Sequence, residues 1–360
     1  MRLRRWLLVV AIAAAQFALF EAALRTWGHS EAAPAFQSLF VPDAAIGYRL
    51  RPDARVRFAT AEFDTQIAIN AQGVRDDEPI GPKPPNERRI VVLGDSLVMA
   101  VQVEAQHTFC QLLEDRLNRT GGPLRYRVIN AGVQGYGPVE ELLFFRNVAR
   151  AFQPDLVIVT VFVGNDAEEA LGSAPRLRER PLAESVSESM TVRLRRIVRR
   201  SMVLQILRLR VTAITARLPA SGAPPEPPLQ SYAEHPAPRI AEGLRVARDC
   251  IQAIAAEATA AGARTMLMLM PARFQVDDAD YGRLKEAVSA AGGRLVRDAA
   301  TERFDAALAP LPVPRFDALP ALRAALPGPD VFFQQTVHLT PRGHTIVADA
   351  LEAFIRRQGL

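Results

Sequence analysis

Cysteine and histidine are scarce in this chain. Its 360 residues include two cysteines and five histidines. Cys110 and Cys250 have no metal-ligand spacing, which argues against a zinc site and a disulfide framework, although a bond between the two stays open. Neither Asp95 nor Asp166 pairs with another carboxylate at a spacing that suggests a metal site. The sequence therefore predicts neither a metal nor a cofactor.

A basic face is absent as well. The formal net charge is +5, but residues 1–5 contribute +3 and residues 190–217 contribute +8, which leaves −6 for the rest of the chain. Binding to nucleic acid requires basic residues gathered on one face of a fold. Because the excess arginine is confined to two short segments, the sequence predicts no nucleic-acid partner.

The apolar segment near the N-terminus is short. It follows a basic flank and runs without a charge from residue 6 to residue 20, whereas a transmembrane helix needs about 20 apolar residues. Glu21 and Arg25 lie four apart and can pair or snorkel, which extends a helix to about Trp27. Residues 1–27 are therefore interpreted as a signal anchor or transmembrane helix that contacts the membrane through residues 6–27. A cleaved signal peptide and a buried helix stay open.

Composition divides the rest of the chain into three regions. Residues 28–87 contain short extended pieces and turns and then four prolines and a glycine, which predicts a small β-rich extension and a Pro-rich linker. In residues 88–360 apolar runs alternate with helical patterns, which predicts a parallel sheet. Residues 168–238 interrupt this alternation and are interpreted as an Arg- and Pro-rich insertion.

The alternating region has clear strand and helix patterns. Strands are expected at 90–93, 126–129, 156–163, 264–270 and 313–316. Helices are expected at 108–119, 139–151, 240–261 and 341–357, with one or two more after the fourth strand. Within the insertion, a helix carries one apolar stripe among arginines, which is compatible with a lid, a contact with an anionic membrane or a solvated helix.

Polar and glycine-rich segments follow the predicted strands, where open α/β sheets bind their ligands. The tetrapeptide GDSL at 94–97 places Ser96 directly behind the first strand. The segments NAGVQG at 130–135 and GND at 164–166 follow the next two strands, and His338 precedes the last helix. Acyl transfer needs a nucleophile, a base and donors for an oxyanion. These segments contain residue types for all three tasks.

Together the four segments resemble the SGNH hydrolase family, also called GDSL esterases and lipases. The resemblance implies an α/β fold, namely a three-layer α/β/α sandwich around a five-stranded parallel, flavodoxin-like sheet. It also implies that Ser96 is the nucleophile and His338 the general base. The backbone N–H groups of Ser96 and Gly135 and the side chain of Asn165 would form the oxyanion hole. The N-terminal regions resemble those of bacterial membrane-anchored members.

One position departs from the family pattern. The family places an aspartate three residues before the catalytic histidine, where it orients the imidazole, and this chain has Gln335 there. Glutamine accepts a hydrogen bond but does not stabilise an imidazolium by charge. Loss of the acid can cost about 10⁴ in turnover. A Ser–His dyad oriented by Gln335 or a backbone carbonyl is favoured, while Asp330 as the acid and weak activity stay open.

Other polar residues near these segments are expected to be structural. Asp95 supports the nucleophile turn, and Asp166 holds the loop of the third segment. Thr340 caps the last helix, and His344 lies inside it. For Arg75 two placements are open, one in which it reaches the pocket from the extension and one on the surface.

These features predict an exported serine esterase. Ser96 would take an acyl group, acetyl or lipid, from an ester of a cell-envelope glycan or lipid, and water would hydrolyse the acyl-enzyme. The basic end of the anchor stays cytoplasmic, so the catalytic domain would lie in the periplasm or outside the cell, held at the bacterial inner membrane. Two alternatives stay open: an acyltransferase that moves the acyl group onto a glycan hydroxyl, and an inert glycan-binding or scaffold protein.

Overall fold

The computed structural model describes Gln16 and residues 36–119, 121–177, 229–328 and 330–359. From Ser38 onward these residues belong to one compact unit, 38–181 with 227–360. The predicted anchor, apart from Gln16, and residues 178–228 of the predicted insertion lie outside the described residues. Within the described ranges, no helix has the length and hydropathy that crossing a bilayer requires.

The extension folds as two antiparallel hairpins. The first joins β1 (Phe40–Asp43) to β2 (Gly47–Leu50), and the second joins β3 (Arg55–Ala59) to β4 (Asp64–Ala68). Both hairpins lie within residues 28–87. Residues 38–87 lie in the same compact unit as the main sheet.

The main sheet has five strands, all parallel. They are β5 (Glu87–Gly94), β6 (Arg125–Gly132), β7 (Leu156–Phe162), β8 (Arg264–Met270) and β9 (Arg315–Asp317). Their spatial order is β6-β5-β7-β8-β9, so the chain starts near one edge, reverses once and then proceeds to the other edge. This is the flavodoxin-like order that the resemblance implies. The point of reversal, between β5 and β7, is where such sheets bind ligands.

Strand β5 shows why the sheet lies inside the molecule. Ile90 and Val92 join a buried cluster on one face of the sheet, and Val91 and Leu93, which are also fully buried, point to the other face. An uninterrupted apolar run fits a strand covered on both sides. Burial of each such side chain contributes about 1.5–3 kcal/mol.

Helices cover both faces and complete the three layers. In chain order they are α1 (Ser96–Met99), α2 (Phe109–Asn118), α3 (Pro138–Asn147), α4 (Asp166–Ser173), α5 (Pro238–Ala260), α6 (Arg273–Val276), α7 (Asp278–Ala290), α8 (Ala299–Leu308), α9 (Leu319–Ala324) and α10 (Pro341–Arg357). Helices α2 and α10 pack together on one face, and α3, α4 and α5 pack together on the other. The predicted sandwich is confirmed.

Several predicted boundaries shift. Strand β6 is longer than predicted because its last residues pair with the end of β5. Helix α3 ends at Asn147, and a 3₁₀ turn (Ala149–Phe152) follows it. The end of the predicted insertion belongs to the core, since Tyr232 is fully buried. Cys110 and Cys250 are buried free thiols, so the bond between them that the sequence left open is absent.

Candidate active site

The nucleophile turn lies between β5 and α1, at the carboxyl end of the sheet. Asp95 caps α1, because its Oδ1 accepts the N–H of Leu97 at 2.8 Å. Gly94 leaves no room for a side chain, since a Cβ there would come within 2.3 Å of the Val98 side chain. Ser96 is partly exposed, whereas the residues on either side of it are buried. The turn therefore presents one hydroxyl, at the first position of a helix.

The second segment lies directly against this turn. The N–H of Val133 donates to the Gly94 carbonyl at 3.0 Å, and the Asn130 amide donates to the Val98 carbonyl at 2.8 Å. A Cβ on Gly132 would come within 2.3 Å of the Met99 nitrogen. Glycine is required at 132 because backbone meets backbone there.

Gly135 sits in a tight turn that follows. The N–H of Tyr136 donates to the Val133 carbonyl at 3.1 Å and closes the turn. Gly135 has φ +73°, a left-handed conformation that glycine adopts without strain. Gly135, the predicted oxyanion donor, is also exposed.

The third segment places Asn165 at the N-terminus of α4. Its amide nitrogen donates to Glu169 Oε1 at 2.7 Å, and its carbonyl oxygen is buried with no partner in the described part of the chain. Asp166 Oδ2 accepts the N–H of Phe162 at 2.9 Å, as a residue that holds this loop would. The amide nitrogen of Asn165 carries a second N–H, which the bond to Glu169 leaves for another acceptor.

Four carboxyl groups lie in or next to these three segments, of which Asp95, Glu141 and Asp166 are buried and Glu169 is half-buried. Burial raises the pKa of Asp95 to about 6 and that of Glu169 to about 7. Burial also raises the pKa of Glu141 and Asp166 well above the usual range, and their negative neighbours raise it further. Both carboxyl oxygens of Glu141 lack a hydrogen-bond partner in the described ranges. These groups stay protonated to a higher pH than ordinary carboxyls.

Sequence reasoning missed Glu141 and Glu169. Glu141 follows Glu140 and directly precedes an apolar run at 142–145, which is the one signal that the sequence offered. Despite these carboxyls, the described residues contain no group of histidine, cysteine and acidic side chains that could hold a metal ion.

His338 lies on the loop that leads into α10. The loop is closed by the N–H of Phe333, which donates to the His338 carbonyl at 3.0 Å, and by a bridge between Phe332 and Leu339. Both ring nitrogens of His338 are buried without a hydrogen-bond partner in the described part of the chain. Burial alone lowers the pKa of His338 to about 4. The imidazole is thus neutral at physiological pH.

Neither residue considered for orienting the imidazole reaches it in this structure. Gln335 and Asp330 are both exposed. Asp330 Oδ2 accepts the side-chain amide of Gln334 at 2.6 Å instead. The Gln335 side chain makes no bond to the ring, since neither ring nitrogen has a hydrogen-bond partner among the described residues.

The histidine loop is held through its backbone by two residues that sequence reasoning missed. Glu62, in the turn between β3 and β4, accepts the N–H groups of Gln334 and Gln335 at 2.7 and 2.9 Å. Arg273 donates to the carbonyls of Phe333 and Gln334 at 3.0 and 2.8 Å. No motif marks either residue, since both act on main-chain atoms far away in the sequence.

Arg75 and His344 have structural positions. Arg75 is buried and donates to the carbonyls of Met99 at 2.7 Å and of Val103 at 2.6 Å, so the surface placement is wrong, and the residue holds the chain after α1. His344 accepts the N–H of Phe109 at 3.3 Å and is 1% exposed, which confirms its structural role.

Thr340 accepts the N–H of Gly343 as the cap of α10, as predicted. Leu97 and Leu339, the residues that follow Ser96 and His338, belong to one buried cluster. The structure therefore places the nucleophile turn and the histidine loop on a shared core.

Comparisons with solved structures give distant likenesses. TesA shares 15% identity over 75% of this chain and 99% of its own, with a TM-score of 0.42. The psychrotrophic esterase EstA from Pseudoalteromonas sp. shares 13% identity over 75% of this chain and 98% of its own, with a TM-score of 0.40. A variant of an acetyl xylan esterase from Geobacillus stearothermophilus shares 13% over 74% and 94%, with a TM-score of 0.39.

No curated protein matches the sequence significantly. The family model of the GDSL-like lipase/acylhydrolases matches residues 92–346, which include all four segments. This match covers well over half of the chain. The chain belongs to the GDSL-like lipase/acylhydrolase family.

Proposed function

We propose that this protein is a serine esterase that hydrolyses acyl esters of cell-envelope glycans or lipids through an acyl-Ser96 intermediate. The ester hydrolase class follows from the family. The acyl-Ser96 intermediate and the envelope substrate are our proposal. We also propose that residues 1–27 anchor the protein in the bacterial inner membrane and that the catalytic domain lies in the periplasm or outside the cell.

One observation supports the proposal: the three segments that carry Ser96, Gly135 and Asn165 pack against one another at the carboxyl end of the sheet. The bond from Val133 to the Gly94 carbonyl joins the first two segments. A Cβ on Gly137, just after the second segment, would lie 3.0 Å from the Glu169 Cβ on α4, which joins the third. Donors fixed before the reaction stabilise an oxyanion strongly, because they do not have to reorganise as charge develops.

His338 would act as the base. It would take the proton from the Ser96 hydroxyl as the oxygen attacks the acyl carbonyl carbon, and would return that proton to the leaving alcohol oxygen. Water would then attack the acyl-enzyme and pass its proton to the same imidazole, which releases the acid and restores Ser96. A buried, neutral imidazole is the protonation state that this role requires.

A second candidate is an inert glycan-binding protein with this fold. The unpaired ring nitrogens of His338 and the bond from Asn165 to Glu169 favour it. Transfer of the acyl group to a glycan hydroxyl instead of water would need a pocket shielded from solvent. Residues 178–228, which could provide that shield, lie outside the described residues.

The decisive experiment exposes the full-length protein to a fluorophosphonate and locates the adduct by mass spectrometry. We expect one adduct on Ser96, no adduct in Ser96→Ala and a much slower reaction in His338→Ala. Ser173→Ala is the matched control, because the Ser173 hydroxyl donates to the buried Glu140 rather than facing the site. A folded wild-type protein that takes no adduct would instead support the inert binding protein.

A further inference from the structure

The turn that carries Gly135 can exist in two forms. Its closing bond joins Val133 and Tyr136, and φ is positive at Gly135 but not at Gln134, which makes it a type II turn. A type I turn has the same ends but the opposite orientation of the central peptide, here the one between Gln134 and Gly135. The N–H of Gly135 belongs to that peptide, so the turn type decides which way this donor points.

Tyr48, on β2 of the extension, fixes the orientation of this peptide. Its hydroxyl donates to the Gln134 carbonyl at 2.7 Å. The C=O and N–H of a trans peptide point in opposite directions. A bond that holds the Gln134 oxygen on the side of Tyr48 therefore holds the Gly135 N–H on the opposite side.

Tyr48 is itself held in place by the same turn. The Tyr136 hydroxyl donates to the Tyr48 carbonyl at 2.6 Å, and the two rings meet edge to face with centroids 5.4 Å apart. Burial raises the pKa of both phenols, so both hydroxyls remain protonated donors. The two tyrosines thus form reciprocal bonds between the extension and the turn.

The contact is also close. A Cβ on Gly135 would lie 3.0 Å from the Tyr48 hydroxyl. Tyr48 therefore packs against the turn as well as bonding to it, and rotation of the central peptide would remove a part-buried hydrogen bond from both partners.

We propose that Tyr48 is a positioning residue for the oxyanion hole, which keeps the Gly135 N–H aimed at the acyl oxygen. This inference rests on the proposed esterase function. Tyr48 itself touches no reacting atom, and it acts by orienting the Gln134–Gly135 peptide.

Such a role has a specific kinetic signature. The oxyanion exists in the transition state and not in the bound ester, so a misdirected donor lowers kcat and leaves KM nearly unchanged. Removal of one oxyanion donor costs about 10²–10³ in kcat. Because Tyr48→Phe misdirects the donor without removing it, we expect a loss of about tenfold.

The test compares the full-length wild type with Tyr48→Phe and Tyr232→Phe in hydrolysis of p-nitrophenyl acetate and in thermal unfolding. Tyr232→Phe is the matched control, because it removes a buried hydroxyl that donates to Gln275, away from the turn. We expect kcat to fall about tenfold in Tyr48→Phe alone, with KM unchanged, although both variants lower Tm.

A kcat in Tyr48→Phe within twofold of wild type, or an equal loss in Tyr232→Phe, overturns the inference and leaves the esterase function intact. Absence of turnover and of Ser96 adduct in the wild type overturns both. Should Tyr48→Phe not fold, Tyr136→Phe takes its place, because it removes the bond that holds Tyr48. If the kcat of Tyr136→Phe then equals that of Tyr232→Phe, the inference is overturned.

Discussion

The two halves of the candidate site are built differently. The oxyanion half comprises the segments at 94–97, 130–135 and 164–166 with the helices that follow them. There, polar side chains and backbone groups bond to one another, as with Asp95 at the nucleophile turn and Asn130 beside it. In the histidine half, the side chain that matters most has no partner in the described ranges, while the backbone around it is bonded to Glu62 and Arg273.

The difference shows two ways of fixing a reactive group. A hydrogen bond to a side chain fixes its position and also influences its protonation state, as a carboxylate does for a triad histidine. Hydrogen bonds to the backbone of a residue fix its position, while its protonation state depends on the surroundings of the side chain. The His338 imidazole is therefore positioned by its loop, and burial disfavours its charged form.

Loss of the base is expected to have the largest effect. His338→Ala should lower the kcat for p-nitrophenyl acetate by about 10³ or more, because the nucleophile and the base act as a unit and loss of either removes most of the activity. Ser96→Ala should match it. His235→Ala is the control, since that imidazole is 93% exposed. If His338→Ala retained a tenth of the wild-type kcat, another residue would have to be the base.

Gln335→Asp tests whether a charge can be added to the histidine half. A carboxylate near the imidazole favours its protonated form, so the pKa of His338 should rise from about 4. The acid limb of the kcat/KM profile, where the base becomes protonated, should then move to higher pH, and kcat should rise about tenfold.

The measurement is a pH–rate profile of wild type and variant, with Gln334→Asp as the neighbouring control. An unchanged profile would show that a carboxylate at position 335 stays as far from the imidazole as the Gln335 side chain does in this structure.

Glu62→Gln tests the backbone contact of the same half. The amide can accept from one of the two N–H groups of Gln334 and Gln335 but turns a donor towards the other. We expect kcat to fall about threefold while the stability changes little. Glu104→Gln is the matched control, because Glu104 also accepts a backbone N–H, that of Gln66. Gln66 lies on β4, in the hairpin that carries Glu62. Equal rates in both variants would remove Glu62 from the site.

The smallest effect is expected from Glu141→Gln in the oxyanion half, and it concerns stability. The pKa of Glu141 is raised by burial, so its contribution is fully present below the unfolded pKa and is lost as pH rises through the folded value. Removal of the ionisable group should raise Tm at pH 8 by a few degrees and change it less at pH 5.

Thermal unfolding at the two pH values measures this effect, with the exposed Glu286→Gln as control. A lower Tm at pH 8 would show that Glu141 is stabilising in its charged form.

The sequence predicted the parts of this molecule that depend on local pattern. Strand β7 is apolar except for Thr160, and the cap at Thr340 is a local signal, so both were found. Three of the four segments, which carry Ser96, Gly135 and Asn165, follow strands β5, β6 and β7, and parallel strands bring their carboxyl ends to one edge of the sheet.

The residues that support the site were not predictable in this way. Tyr48, Glu62 and Arg273 bind main-chain atoms 60 to 273 positions away, and a backbone carbonyl or N–H leaves no trace in residue identity. Arg75 illustrates the same limit, because a lone arginine in a loop looks like a surface residue until its carbonyl partners are known.

The hairpins of the extension also bear on where this chain can be divided. The family match begins at residue 92, after the hairpins and the linker. A chain cut at the linker would keep the whole parallel sheet and all four segments, yet would lose Tyr48, Glu62 and Arg75. The structural support of the candidate site therefore extends beyond the residues that the family model matches.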